Sequence, residues 1–278
     1  MKSPKEEIVE SKIIKTVDEI VSKHIGGDTL PRELIDLLLS NAELKSIQDY
    51  ANTVSITRIG LNDHGPVHMK TVCRNALKML CILHEAGIKT SLEEEEAGTF
   101  TDSVLAVMLA ALLHDSGMTI GRKNHELYSG IISYSFISDI LRQLLPDDKE
   151  IMHRTVIRSL AMEGILGHMG TNPIHSLEAG LILIADGCDM TKGRARIPLE
   201  RPTKPMEGDI HKYSAHSIEK VKILRGEERA IKIEIHMKSE VGFFQVEEVL
   251  IPKILSSPAK NLVELHAGVD GEDMKRYI

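Results

Sequence analysis

Over residues 1–203, apolar side chains recur mainly at the three-to-four-residue period of helices. In 6–25, Ile8, Val9, Ile13, Ile14, Val17, Ile20 and Val21 form one stripe, and Gly26-Gly27 closes it. PRELIDLLLSN (31–41) opens with proline at a first helical position. The turn Asp63-His64-Gly65-Pro66 leads into a helix over 66–86 that Gly87 caps. SLEEEEAG (91–98) is an acidic, solvated stretch. DSVLAVMLAALLHD (102–115) is apolar on every side, which predicts a central, buried helix. Further helices are expected from His125 to Leu145, over 147–162 and over 175–190, the last again strongly apolar.

The period changes after residue 203. Ile218, Val221 and Ile223 suggest a strand, and 225–228 reads as a turn. Ile231, Ile233, Ile235 and Met237 then alternate with Lys232, Glu234, His236 and Lys238, the pattern of a strand buried on one face. FFQVEEVLIPKIL (243–255) is helical, with Pro252 kinking or ending it, and NLVELHAG (261–268) suits a third strand. The expected organisation is a mainly α chain. A helical domain occupies 1–203 and a small α+β domain 204–278. The strand edges of the tail could pair between copies and make a homodimer.

Composition narrows the function classes. The 34 basic and 41 acidic residues give a net charge of −7, which disfavours nucleic-acid binding by bulk electrostatics. Nine aromatics and no tryptophan argue against stacking platforms for single strands. The longest apolar run, 104–113, is too short for a bilayer that needs about 20 residues. The charged start has no apolar leader segment. The 3 cysteines include no CxxC, and Cys73, Cys81 and Cys188 fall on apolar helical faces. A reduced, cytoplasmic protein without membrane partners is expected.

Chemistry gathers in the helices. His114 and Asp115 end the most apolar helix, in LLHDSG, where burying them is costly unless a partner compensates. A metal can bind both. His68 lies in DHGPVHMKTV, His125 in NHELYSG, and Asp186 inside LILIADGCDM with Asp189 one turn on. Asp189 either supports the site or ends its helix. Packed helices that each present such ligands can share a bundle metal site. His64 reads as a base near the site, a substrate contact or a turn former. Arg122-Lys123, and Lys192, Arg194 and Arg196 after the Asp186 helix, are phosphate contacts or solvated loops. His153 is the remaining histidine of most interest, since it precedes the His168 segment. A P-loop, a GxSxG elbow and an HExxH are all missing.

The order His68, then adjacent His114-Asp115, then Asp186 in an Ala-Asp context resembles the HD-domain metal-dependent phosphohydrolase superfamily. The resemblance spans about residues 60–200, and 167–198 is similar to the end of the HD domain of the ribonuclease Y family. It implies an HD-type helical bundle and identifies His125 and His168 with the histidines that hold a second ion in dinuclear members. The chain departs from the pattern at Met118, where many members carry lysine, and at Met169, where dinuclear members often carry histidine.

The resemblance implies hydrolysis of a phosphate ester by metal-activated water. One or two divalent ions would be held by His68, His114, Asp115, His125, His168 and Asp186. Asp115 holds the metal or bridges two ions, and His64 stands with it as a catalytic residue. Mn, Fe, Co, Ni or Zn suit these ligands, with Mg also admitted. The expected substrate is a nucleotide or another small phosphorylated molecule. The alternatives are a phosphodiesterase acting on RNA or a cyclic nucleotide, and a non-catalytic sensor that binds metal and nucleotide.

Overall fold

The computed structural model describes residues 2–190 and 214–278. The boundary at 203/204 and the basic cluster Lys192, Arg194 and Arg196 lie outside the described residues. The described chain is mainly helical, with a small four-stranded sheet near its C-terminus. Helices α1 (Pro4–Lys23), α2 (Leu30–Ser40) and α3 (Ala42–Asn52) are followed by a π-helical stretch, Thr53–Ile59. Then come α4 (Pro66–Glu85), the short α5 (Ser91–Glu94), α6 (Phe100–Leu113), α7 (His125–Leu144), α8 (Ile151–Gly167) and α9 (Leu177–Cys188). Helix α3 is absent from the sequence reading, because its Leu44, Gln48 and Ala51 present only a narrow apolar stripe.

Helix α6 is the centre of the bundle. All of its residues from Phe100 to Leu113 are buried, and it packs against α2, α4, α8 and α9. The capping box of Thr99 and Asp102 satisfies amides at its start. At its end, Gln48 Nε2 donates to the Leu112 carbonyl at 2.9 Å, so the break in the buried helix leaves that acceptor paired. Lys70 on α4 is buried and paired with Glu6 of α1 at 2.6 Å, joining the first helix to the bundle.

The sheet contains β1 (Ile218–Arg225), β2 (Ile231–Met237), β3 (Val263–Val269) and β4 (Lys275–Arg276), in that order. Pairing is antiparallel for β1/β2 and β3/β4, but parallel for β2/β3. A parallel pair needs a crossover, supplied here by the helical residues 243–262. Within it, α10 (Ile251–Ser256) follows a π-helical turn, Val246–Leu250. Pro252 has no N–H for the ladder, and the widened turn accommodates it. The alternation over β2 is observed: Ile231, Ile233, Ile235 and Met237 are buried. Strands β1 and β2 pack on α4, and one apolar core runs from Val9 to Ala267.

Candidate metal centre

Five helices bring the predicted ligands to one buried point. His68 stands on the first turn of α4, His114 and Asp115 follow α6, His125 begins α7, His168 follows α8, and Asp186 lies in the last turn of α9. His68, His114, Asp115, His125 and His168 are at most 2% exposed, and Asp186 is 8% exposed.

Backbone carbonyls set the tautomers. His114 Nδ1 lies 2.9 Å from the Ala111 carbonyl, His125 Nδ1 2.9 Å from the Arg122 carbonyl, and His168 Nδ1 2.7 Å from the Ile165 carbonyl. A carbonyl only accepts, so each Nδ1 carries the proton and donates it. The same i−3 arrangement occurs all three times, at a helix end or turn. His68 reaches the same state through Asp189, whose Oδ2 lies 2.8 Å from its Nδ1. Asp189 therefore supports the site. Such a carboxylate–histidine link is the usual way to orient a metal-binding imidazole.

With every Nδ1 engaged, the Nε2 lone pairs face inward in two couples. His68 Nε2 and His114 Nε2 are 3.2 Å apart, and His125 Nε2 and His168 Nε2 are 3.0 Å apart. Asp115 spans them. Its Oδ2 lies 3.2 Å from His68 and 3.4 Å from His114, while its Oδ1 lies 3.2 Å from His125 and 3.5 Å from His168. Asp186 Oδ1 joins the first couple, 3.1 Å from His68 Nε2. Lone pairs facing one another and a carboxylate are repulsive unless a cation lies among them. Asp115 Oδ2 is buried and accepts no hydrogen bond among the described residues. Two groups, His68–His114–Asp186 and His114–Asp115–His168, have ligand atoms within 4.8 Å of one another. The donor set fits divalent metal.

Electrostatics agree with that fit. Burial pushes the Asp115 carboxyl up, but the neighbouring His114 and His64 imidazoles outweigh it and hold it well below the usual carboxylate range. Burial lowers His168 to about 4, so this imidazole is neutral at physiological pH, the form a metal takes.

The corner after Asp115 depends on Gly117. A Cβ there would lie 2.1 Å from the His125 carbonyl oxygen and 2.5 Å from the Ser129 amide nitrogen. The Gly117 amide donates to Ser129 Oγ at 2.8 Å, locking the Asp115 turn onto the start of α7.

His64 precedes α4, buried, with its ring centroid 5.8 Å from that of His68. Its Nδ1 donates to the Asn62 carbonyl at 2.7 Å and lies 2.8 Å from Ser55 Oγ. Arg122 and Lys123 are exposed, and it is the Arg122 carbonyl that orients His125. His153 is elsewhere: it pairs with Asp102 at the start of α6 and with Glu150, at the opposite end of that helix from His114. Cys73 and Cys188 are buried and Cys81 half-buried; burial pushes the Cys73 and Cys81 thiols up to about 12. These cysteines are core residues, as expected from their apolar faces.

Sequence reasoning missed Lys253. It lies on α10, pairs with Asp186 Oδ2 and donates to the His168 carbonyl at 2.8 Å. A lone charge in VLIPKIL is a signal for a buried partner, but the partner lies 67 positions away.

Fold and site together define a mainly helical protein with a buried histidine–aspartate cluster suited to metal. No family model matches the chain, and no solved structure matches it. It is 38% identical over 249 residues to the uncharacterized protein MJ1020 of Methanocaldococcus jannaschii, covering 87% of this chain and 91% of the relative. The chain belongs to the family of that protein. No helix among the described residues is long and apolar enough to cross a membrane.

Proposed function

We propose that the protein is an HD-type, metal-dependent phosphohydrolase with a two-metal centre. The observation that carries this reading is Asp115 standing between two couples of inward-facing Nε2 atoms, one oxygen toward each. His68, His114, Asp186 and Asp115 Oδ2 would hold one ion; His125, His168 and Asp115 Oδ1 would hold the other. When bound, such ions activate water and neutralise charge on a phosphoryl group.

The chain's own residues prepare that chemistry. Ala111, Arg122 and Ile165 carbonyls and the Asp189 carboxylate keep four imidazoles in the ligating tautomer. His64 has its Nδ1 proton engaged by Asn62, which leaves Nε2 as the basic atom, beside the first ligand helix. Its role would be to hold or pass a proton. The exposed Arg122 and Lys123, just before His125, would meet substrate phosphate, and Lys192, Arg194 and Arg196 keep that role by their position after the Asp186 helix.

The substrate class is a nucleotide or other small phosphate ester. Elemental analysis of freshly purified protein is expected to find a divalent transition metal. A metal-supplemented screen over p-nitrophenyl phosphate, bis-p-nitrophenyl phosphate and a nucleotide panel separates monoesterase from diesterase. Asp115→Ala is expected to abolish turnover while leaving the circular dichroism spectrum unchanged. Turnover equal to that of the parent would refute the assignment. Metal and nucleotide binding without hydrolysis would replace it with a sensor.

A further inference from the structure

The proposed centre takes its ligands from the helical bundle, but one charge that touches it comes from the C-terminal crossover. Lys253 is 11% exposed and reaches both halves of the cluster. Its ammonium pairs with Asp186 Oδ2, while Asp186 Oδ1 points at His68. The same ammonium donates to the carbonyl of His168, whose Nε2 faces the other half. Lysine donates in three directions from one atom, so a single side chain can tie both.

The packing around Lys253 is built for this reach. Leu250 and Ile254, on either side of it, are fully buried, and α10 packs against α9. The face of α9 beneath it is bare. A Cβ at Gly187 would lie 3.0 Å from Leu250 Cδ1 and 3.1 Å from Lys253 Cδ. Glycine next to Asp186 therefore lets the lysine stem lie close along the helix.

We propose that Lys253 is a positioning residue of the metal centre, so that the site is incomplete without the C-terminal segment. This rests on the metal-binding reading of the cluster. Lys253 holds Oδ2, so that Oδ1, the oxygen facing His68, would be the one turned to the ion. It also fixes the backbone of His168. The opposing effect has the opposite sign. An ammonium beside a cation repels it, so if Lys253 acted through charge alone, its removal would tighten metal binding. A positioning role predicts weaker binding, since losing a partner of a ligand costs about 10–100-fold in affinity.

The test uses the full chain stripped of metal with a chelator, titrated with Mn²⁺ alone by calorimetry, with free Mn²⁺ counted by electron paramagnetic resonance. Lys253→Met is expected to bind Mn²⁺ at least about tenfold more weakly than the parent. Lys253→Arg, which keeps a donor for both oxygens, is expected to recover most of that affinity. Lys253→Met binding as tightly as the parent, or more tightly, overturns the proposal. If that variant does not fold, Lys253→Gln is compared with Lys253→Arg: a loss in Gln supports the role and equal affinity overturns it. A folded parent that takes up no Mn²⁺ overturns the metal centre itself, and this assignment with it; a parent that binds, alongside an unaffected Lys253→Met, overturns only the role of Lys253.

Discussion

Replacing Asp115 by asparagine should reverse sign with metal. In metal-free protein at pH 8, above the ordinary histidine range, the carboxylate is buried among imidazole lone pairs and its Oδ2 accepts no hydrogen bond among the described residues. An asparagine Nδ2 in the same place can donate to the Nε2 of His68 or His114, 3.2 and 3.4 Å from the Oδ2 it replaces. Removing an unsatisfied buried group is worth about 1–3 kcal/mol. At about 2–4 °C per kcal/mol, the metal-free variant should melt roughly 2–12 °C above the parent. Metal inverts the order. Each occupied site stabilises the parent by about 2.7 kcal/mol at a hundredfold excess over its Kd, so two sites contribute about 5 kcal/mol. That raises the parent by roughly 10 °C or more, while the variant lacks the spanning carboxylate and gains little. Scanning calorimetry after chelator dialysis, with and without Mn²⁺, measures all four midpoints. A metal-free variant that melts well below the parent, or one that shifts as far as the parent with Mn²⁺, would refute the reasoning.

Other consequences are as direct. His168→Gln should cost the protein the ion on the His125 side and retain the one on the His68 side, read as a fall in bound metal by elemental analysis. Gly117→Ala should lower stability by about 4 kcal/mol or more, because its methyl group would meet the backbone of α7 rather than a movable side chain; the urea midpoint reports it. Burial lowers the pKa of His153, but the carboxylates of Asp102 and Glu150 prevail and raise it. A raised folded pKa means the pairing stabilises fully below the unfolded value near 6.5 and is lost as pH rises through the folded one. His153→Gln should thus cost about 0.5–1 kcal/mol at pH 5.5, after solvent screening, and close to nothing at pH 9 in denaturant titrations.

The helices were legible wherever local periodicity carried them. The stripe of α1, the all-round apolar α6 and the alternation of β2 are properties of neighbouring residues, and each occurs where the pattern puts it. Helix α3 escaped because its stripe is narrow, and β4 because two residues carry no period. The residues of the site were legible for a related reason. An aspartate or histidine inside an apolar run is costly enough to advertise itself, which is how His114, Asp115 and Asp186 stood out. Even the tautomers are local facts, since three of the four Nδ1 protons go to a carbonyl three residues back.

Which of those residues meet depended on packing. His68 and Asp189 are 121 positions apart, and Lys253 and Asp186 are 67. No periodicity links them, because the distance between two side chains on different helices is set by how the helices cross and not by their order in the chain. The parallel pairing of β2 with β3 is of the same kind. It forces the crossover that carries Lys253 back against α9, and so brings a cation from the sheet-bearing part of the chain to a centre built by the bundle.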